Sequence, residues 1–172
     1  MINPVSRASI LLASINQQIL TTAIRFLTHK DDDVFAIRLG GVLAIAVVYP
    51  DRNFAEFQSV SIGLPGLKFG RFARNTAEKV ARLFERRAEG NDEVAASVSA
   101  DDTLGTYGGC IFFRSRLAGC HEEIYVSFSG APPEVDEALA FVIGEQLGLE
   151  TPKYENPLIP RARELLEDLI RG

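Results

Sequence analysis

The chain has 172 residues, of which 47% are apolar and 24% charged, and a formal net charge of −5. That mixture excludes disorder and coiled coil, the acidic balance gives no push towards nucleic acid, and no run approaches the ~18 uninterrupted apolar residues of a membrane span. A single domain of this length buries roughly 70% of the surface its unfolded form exposes, so neither a disulfide nor a metal is required to hold it together.

In chain order, MINPVSRASILLASINQQ has no basic leader before its apolar run and reads as the start of a helix rather than as a signal peptide. Leu11, Ile15, Ile19, Ala23 and Leu27 recur at i, i+4 and predict one amphipathic helix between Arg7 and Thr28. VFAIRL and VLAIAVVY follow, two β-branched runs separated only by Gly40-Gly41, which predicts a hairpin turning at the glycine pair. The second run is almost continuously apolar, as a strand covered on both faces should be. Pro50-Asp51-Arg52-Asn53 breaks it, and Phe54 to Ile62 reads either as a third short strand or as an irregular connection. Gly63, Pro65 and Gly66 mark a further change of structure.

From Lys68 to Arg87 the period becomes helical. Phe69, Ala73, Thr76, Val80 and Leu83 fall on one face, and Lys68, Arg71, Lys79, Arg82 and Arg86 on another. The basic face reads as a solvated outer surface or as a docking surface for an anionic ligand or acidic partner. Glu89 to Tyr107 shows no sustained period and reads as a loop. Gly108-Gly109 then opens a second hairpin, CIFFRS and EEIYVSFS around Leu117-Ala118-Gly119. That turn sets Cys110 opposite a residue near Val126 rather than opposite Cys120, so the two cysteines read as thiols of a reducing cytosol.

Gly130-Ala131-Pro132-Pro133 stops the last strand, and Pro133 starts a helix carried by Ala138, Phe141, Val142, Glu145 and Leu149. Residues 1–150 form the expected domain, and residues 151–172 a proline-containing linker and a short amphipathic helix. Leu165, Leu166, Leu169 and Ile170 line one face of that helix, which is too short to persist without burying it. Helices alternating with hairpins predict an α/β (α+β) fold with a mainly antiparallel sheet of four to six strands. No βαβ unit with a glycine-rich turn is present.

Candidate chemistry is sparse. His29 and His121 are the only histidines, and no CxxC or HxxxH spacing occurs. No Ser/His/Asp set, phosphate loop or metalloprotease motif assembles, so no catalytic constellation is predicted. The Ser129-Gly130 turn is a better candidate site, because successive N–H groups where a helix begins attract a carboxylate or phosphate. Gly108 and Gly109 either admit a ligand close to the backbone or merely shape a turn. A pocket there would include Tyr107, Gly108, Gly109, Ser129 and Gly130, with Arg74 or Lys79 as the anion's partner and Asp136 capping or locking the turn.

GGCIFFRSRLAGCHEEIYVSFSGAPPEVDEALAFV, with Gly108, Gly109, Ser129, Gly130 and Asp136 at its marked positions, resembles the haem-degrading/GlcG-like (HbpS-like) family. VFAIRLGGVLAIAV looks like that family's first hairpin, and FARNTAEKVARLF falls where its central helix begins. Where the family usually carries a lysine near the start of that helix, this chain offers only Arg74 or, shifted along, Lys79. The resemblance implies a profilin-like three-layer α/β/α sandwich that self-associates as a dimer or higher oligomer. It also implies a small-molecule binder of the haem/tetrapyrrole or small-anion kind, with haem the cofactor it suggests. The alternative is an oligomeric interaction module without a ligand. In either case the expected location is the cytoplasm, with no nucleic-acid or membrane partner.

Overall fold

In a computed structural model, residues 6–29, 39–52, 54–90, 94–97, 108–116 and 121–172 are described. Two helices, α1 (Arg7–Ala13) and α2 (Gln17–Thr28), precede strands β1 (Gly40–Tyr49) and β2 (Phe54–Gly63). Helix α3 (Phe69–Ala88) leads to β3 (Cys110–Arg114), β4 (Glu123–Ser129), α4 (Pro133–Gln146) and α5 (Ile159–Arg171). The four strands form one antiparallel sheet in the order β2-β1-β4-β3, a mixed α/β architecture of the expected class.

Alternation along the strands sorts side chains onto two faces. Leu43, Ile45 and Val47 of β1, Ile111 and Phe113 of β3, and Ile124, Val126 and Phe128 of β4 join the larger core with α1, α2, α4 and α5. Ala46, Cys110, Phe112 and Tyr125 point the other way and pack with Leu83 of α3. Helix α3 lies on β1, β4 and β3. On this same face, Ala55, Phe57, Ser59 and Ser61 of β2 remain exposed.

Three expectations need correction. Gly40 and Gly41 are not a turn but the first residues of β1, paired with Gly63 and Ile62. Neither has a positive φ. Glycine is needed there for close approach: a Cβ on Gly41 would fall onto the Ser129 carbonyl oxygen and the Phe128 ring. The predicted strand VFAIRL lies outside the described residues except for Leu39, whose carbonyl accepts from the Leu64 N–H.

The single N-terminal helix is broken instead, with α1 and α2 bent by 69°. Asn16 causes the break by capping α2, its side chain accepting from the N–H groups of Gln18 and Ile19 at 3.1 Å. The buried face of α3 is also displaced from the expected one. It consists of Phe72, Thr76, Lys79, Leu83 and Arg87, while Phe69 is exposed. Of the two readings of Phe54 to Ile62 the strand is the one found, spanning Phe54–Gly63, and Cys110 lies opposite Ser127, beside the expected Val126. Cys120 is outside the described residues.

Helix α4 is buried nearly all round from Ala138 to Gly144, because it packs on β4 and β3 and is covered in turn by α5. A Cβ on Gly144 would enter the Phe113 ring. Helix α5 begins at Ile159 and buries Ile159, Ala162 and Leu166 against α2 and α4 of its own chain. Arg163 grips Glu145 of α4 through two bonds at 2.7 and 2.9 Å.

The edge strand is anchored by its one ionisable residue. Glu56 accepts from the Ser6 hydroxyl at 2.6 Å and from the Ala8 N–H at 3.0 Å, which places its carboxylate at the N-terminus of α1. Burial pushes the Glu56 carboxyl up, but the bonds from Ser6, Ala8, Tyr49 and Arg7 together bring it below its ordinary value. A depressed acid contributes stability above its unfolded pKa and loses it as pH falls through the folded value. Glu56→Gln is therefore expected to cost about 1 kcal/mol at neutral pH, the site being partly exposed. Urea unfolding should show that difference shrinking as pH falls through the acid range; a difference independent of pH would refute the charge's role.

Candidate functional site

The residues singled out around the glycine loop and the Ser-Gly turn do come together, and what joins them is Lys79. Its place in the α3 stripe between Thr76 and Leu83 aims its side chain at the sheet, where small residues (Ala46, Cys110, Ser127) leave room. The Lys79 ammonium donates to the Phe128 carbonyl at 2.7 Å and to Asp136 Oδ2 at 3.0 Å, with both side chains almost wholly buried. Asp136 Oδ1 accepts the Ala131 N–H at 2.9 Å, and the Gly130 N–H also bonds this carboxylate.

The backbone donors that sequence reasoning offered to an external anion are thus taken by an internal one. Asp136 is the carboxylate at the start of α4, and Lys79 is its counter-ion. Gly109, at φ 123, is where the backbone passes the pair. A Cβ there would stand 2.7 Å from the Asp136 Cβ, the Lys79 Nζ and the Phe128 oxygen alike. Gly130 is pressed against Gly40 and Gly41 in the same way, and Gly108 against the Glu137 carboxylate. Gly108, Gly109, Ser129, Gly130, Lys79 and Asp136 are all buried, and among the described residues they form a closed cluster. Arg74 stays on the exposed side of α3, and Tyr107 lies outside the described residues.

Burial pushes the Asp136 carboxyl up to about 7, against the attraction of Lys79 and the bonds from Lys79, Ala131 and Gly130. Burial likewise raises Glu137, opposed by a bond from the Tyr154 hydroxyl, by Lys79 and by the Gly109 N–H. The Cys110 thiol is pushed far up by complete burial, which makes it inert as a nucleophile at neutral pH. Sequence reasoning missed Glu137 and Tyr154, and it offered Lys79, with Arg74, as the partner of an external anion rather than as the counter-ion of Asp136. The available signal was that Lys79 also fits the i, i+3, i+4 series through Phe72, Thr76 and Leu83.

Open space lies elsewhere. A cavity of about 660 Å³ is bounded by Arg87, Phe112, Arg114 and the segment from Glu150 to Glu155. There the Arg87 guanidinium sits 3.4 Å over the Phe112 ring and donates to the Val94 carbonyl at 2.8 Å. A groove of about 440 Å³ is walled by Tyr49, Phe54 and Phe84. Among the described residues, no group of three or more His, Cys, Asp and Glu side chains is placed to hold a metal. Both His29 and His121 are exposed. No single described helix is long and apolar enough to cross a membrane.

The most exposed regular element is β2. It ends the sheet, and among the described residues nothing pairs with its outer edge. The Leu64 N–H bonds to the Leu39 carbonyl, in register with the β1–β2 ladder. In an antiparallel pair such bonded partners alternate. The backbone groups of Ala55, Phe57, Ser59, Ser61 and Gly63 therefore face outward. Phe54 and Phe57 are exposed along this strand, and Leu64, Leu67 and Phe69 directly after it.

No protein-family model, curated protein or solved structure matches the chain. The resemblance to the haem-degrading/GlcG-like family therefore rests on the motif residues alone.

The buried pair makes a measurable claim. Lys79→Met or Asp136→Asn alone strands one buried charge and is expected to cost about 3–5 kcal/mol. The double variant keeps an acceptor for Ala131 and should cost less than the sum of the singles by more than ~1 kcal/mol. Asp136 is protonated below its raised value and carries the charge that Lys79 answers only above it, so Lys79→Met should cost less near about pH 5 than near about pH 8. Denaturant unfolding of the four proteins tests both statements; additive costs would deny that the pair is coupled.

Proposed function

We propose that this chain is an interaction protein that takes a strand of another polypeptide onto the outer edge of β2. The observation that carries the reading is a ten-residue edge strand, covered by α1 and α2 on one face and bare on the other, with no proline and one charge. Charges, prolines and bulges are the usual protection of an edge against further pairing. Here the single charge, Glu56, is occupied with α1. Strand addition at such an edge draws affinity from main-chain bonds and specificity from alternate side chains. The exposed Phe54, Phe57, Leu64, Leu67 and Phe69 supply an apolar strip beside it. A cytoplasmic location goes with this reading and with a buried Cys110 thiol.

Ser59→Pro removes the central outward N–H while leaving the bonds to β1 in place. It is expected to abolish the assemblies formed by the full chain, followed by size-exclusion light scattering on purified protein and on extract of the source cells, with the melting temperature held close to wild type. Assemblies unchanged by Ser59→Pro would sink the reading.

A second reading is favoured by the cavity of about 660 Å³, where Arg87, Arg114 and Lys153 surround an aromatic floor. It suits a small anion or the carboxylates of a tetrapyrrole such as haem. Hemin followed by its visible spectrum, and inorganic phosphate followed by calorimetry, should then bind saturably. Arg114→Glu should weaken whichever binds on the order of tenfold. Saturable binding of neither probe discards this second reading.

A further inference from the structure

We propose that the occupant of the β2 edge is a second copy of this chain, paired antiparallel about a two-fold axis at Ser59; this rests on the edge-docking reading above. The outward-facing backbone groups belong to Ala55, Phe57, Ser59, Ser61 and Gly63, of which Ser59 is the middle. A two-fold axis there satisfies all of them at once. Centring on Phe57 or Ser61 instead leaves outward groups unpaired at the ends of both strands.

The side chains in that register complement one another. Phe57 faces Ser61 of the second copy, Ala55 faces Gly63, and Ser59 faces itself, so each bulky residue meets a small one. No charges oppose: Glu56 falls opposite Ile62, and its carboxylate is already held by Ser6 and the start of α1. The strand carries no other charge, so it offers nothing for which an acidic or a basic partner would be preferred. An isologous contact requires this kind of self-complementarity.

The sheet face points the same way. Helix α3 covers β1, β4 and β3 but leaves Ala55, Phe57, Ser59 and Ser61 bare. Two copies joined at β2 would make one continuous sheet, with both α3 helices on the same side and a trough between them. Phe57 lies on its floor, and Leu64, Leu67 and Phe69 continue from the end of each strand. A stable dimer needs roughly 800 Å² from each partner. The edge and this strip together are the apolar surface available to provide it.

The test is a charge exchange at the axis, read by sedimentation or light scattering of the purified full chain from low micromolar to about 100 μM, the range of modest dimers. Wild type is expected to dimerise. Ser59→Lys and Ser59→Glu each set like charges opposite one another and should raise the dimer Kd on the order of tenfold or more. Mixing the two variants should restore dimer, because position 59 faces itself. A mixture of Ser61→Lys and Ser61→Glu should gain nothing comparable, because position 61 faces Phe57. Thermal melts of these exposed-site variants check that the fold is intact. Wild type that stays monomeric, or Ser59→Lys that dimerises as well as wild type, overturns the second-copy assignment. Edge docking survives that result only if Ser59→Pro still abolishes a complex with a different chain. If Ser59→Pro changes nothing, both fall together.

Discussion

The ion pair between Lys79 and Asp136 is the constraint around which the rest of this molecule is arranged. Three elements meet at it: α3 supplies the lysine, β4 the Phe128 carbonyl, and α4 the aspartate. A buried pair of this kind gains little net free energy, since removing two charges from water nearly cancels their attraction. Breaking it is what costs. Its effect is therefore to fix how α3 seats on the sheet and how the chain turns from β4 into α4. The glycines follow from it, because backbone at Gly109 passes within contact of both charges and no side chain fits there.

The same constraint decides what α3 leaves uncovered. Drawn towards Asp136, the helix lies over β1, β4 and β3, and the small side chains on that face allow it to lie close. β2 is held from the opposite face, by α1 and α2, with Glu56 capping the start of α1. The outcome is a strand fastened on one face and open on the other, with aromatic side chains in water. β3 differs, since Phe112 and Cys110 exchange backbone bonds with Ala95 and Ser97 along its far side. The open edge follows from β2's place at the end of the sheet, and its bare face from where α3 lies.

Legibility from sequence followed how local the controlling physics is. β4 and α4 were readable because alternation and the Pro133 start depend on nearby residues. The Gly40-Gly41 turn was misread because a glycine pair signals either positive φ or close packing, and only contact with Ser129 and Phe128 distinguishes them. Asn16 was passed over as a cap because the apolar spacing on either side continues almost unbroken. Lys79 was offered to an external anion rather than to Asp136, because the two lie 57 positions apart and no local pattern joins them. The motif residues Gly108, Gly109, Ser129, Gly130 and Asp136 were correctly grouped, but their grouping did not reveal that the cluster is closed.

That closure follows from the physics of a glycine turn that leads into a helix. A run of backbone N–H groups at a helix start attracts an anion, whether the anion arrives from solvent or from the chain itself. Here Gly130 and Ala131 are satisfied by Asp136, and the cation that would have recruited a ligand is spent on the same carboxylate. An external anion would have to displace a buried, multiply bonded carboxylate and then lie where glycine backbones already touch. Among the described residues the motif therefore shapes the fold at this end of the sheet, its donors and its cation being satisfied within the chain.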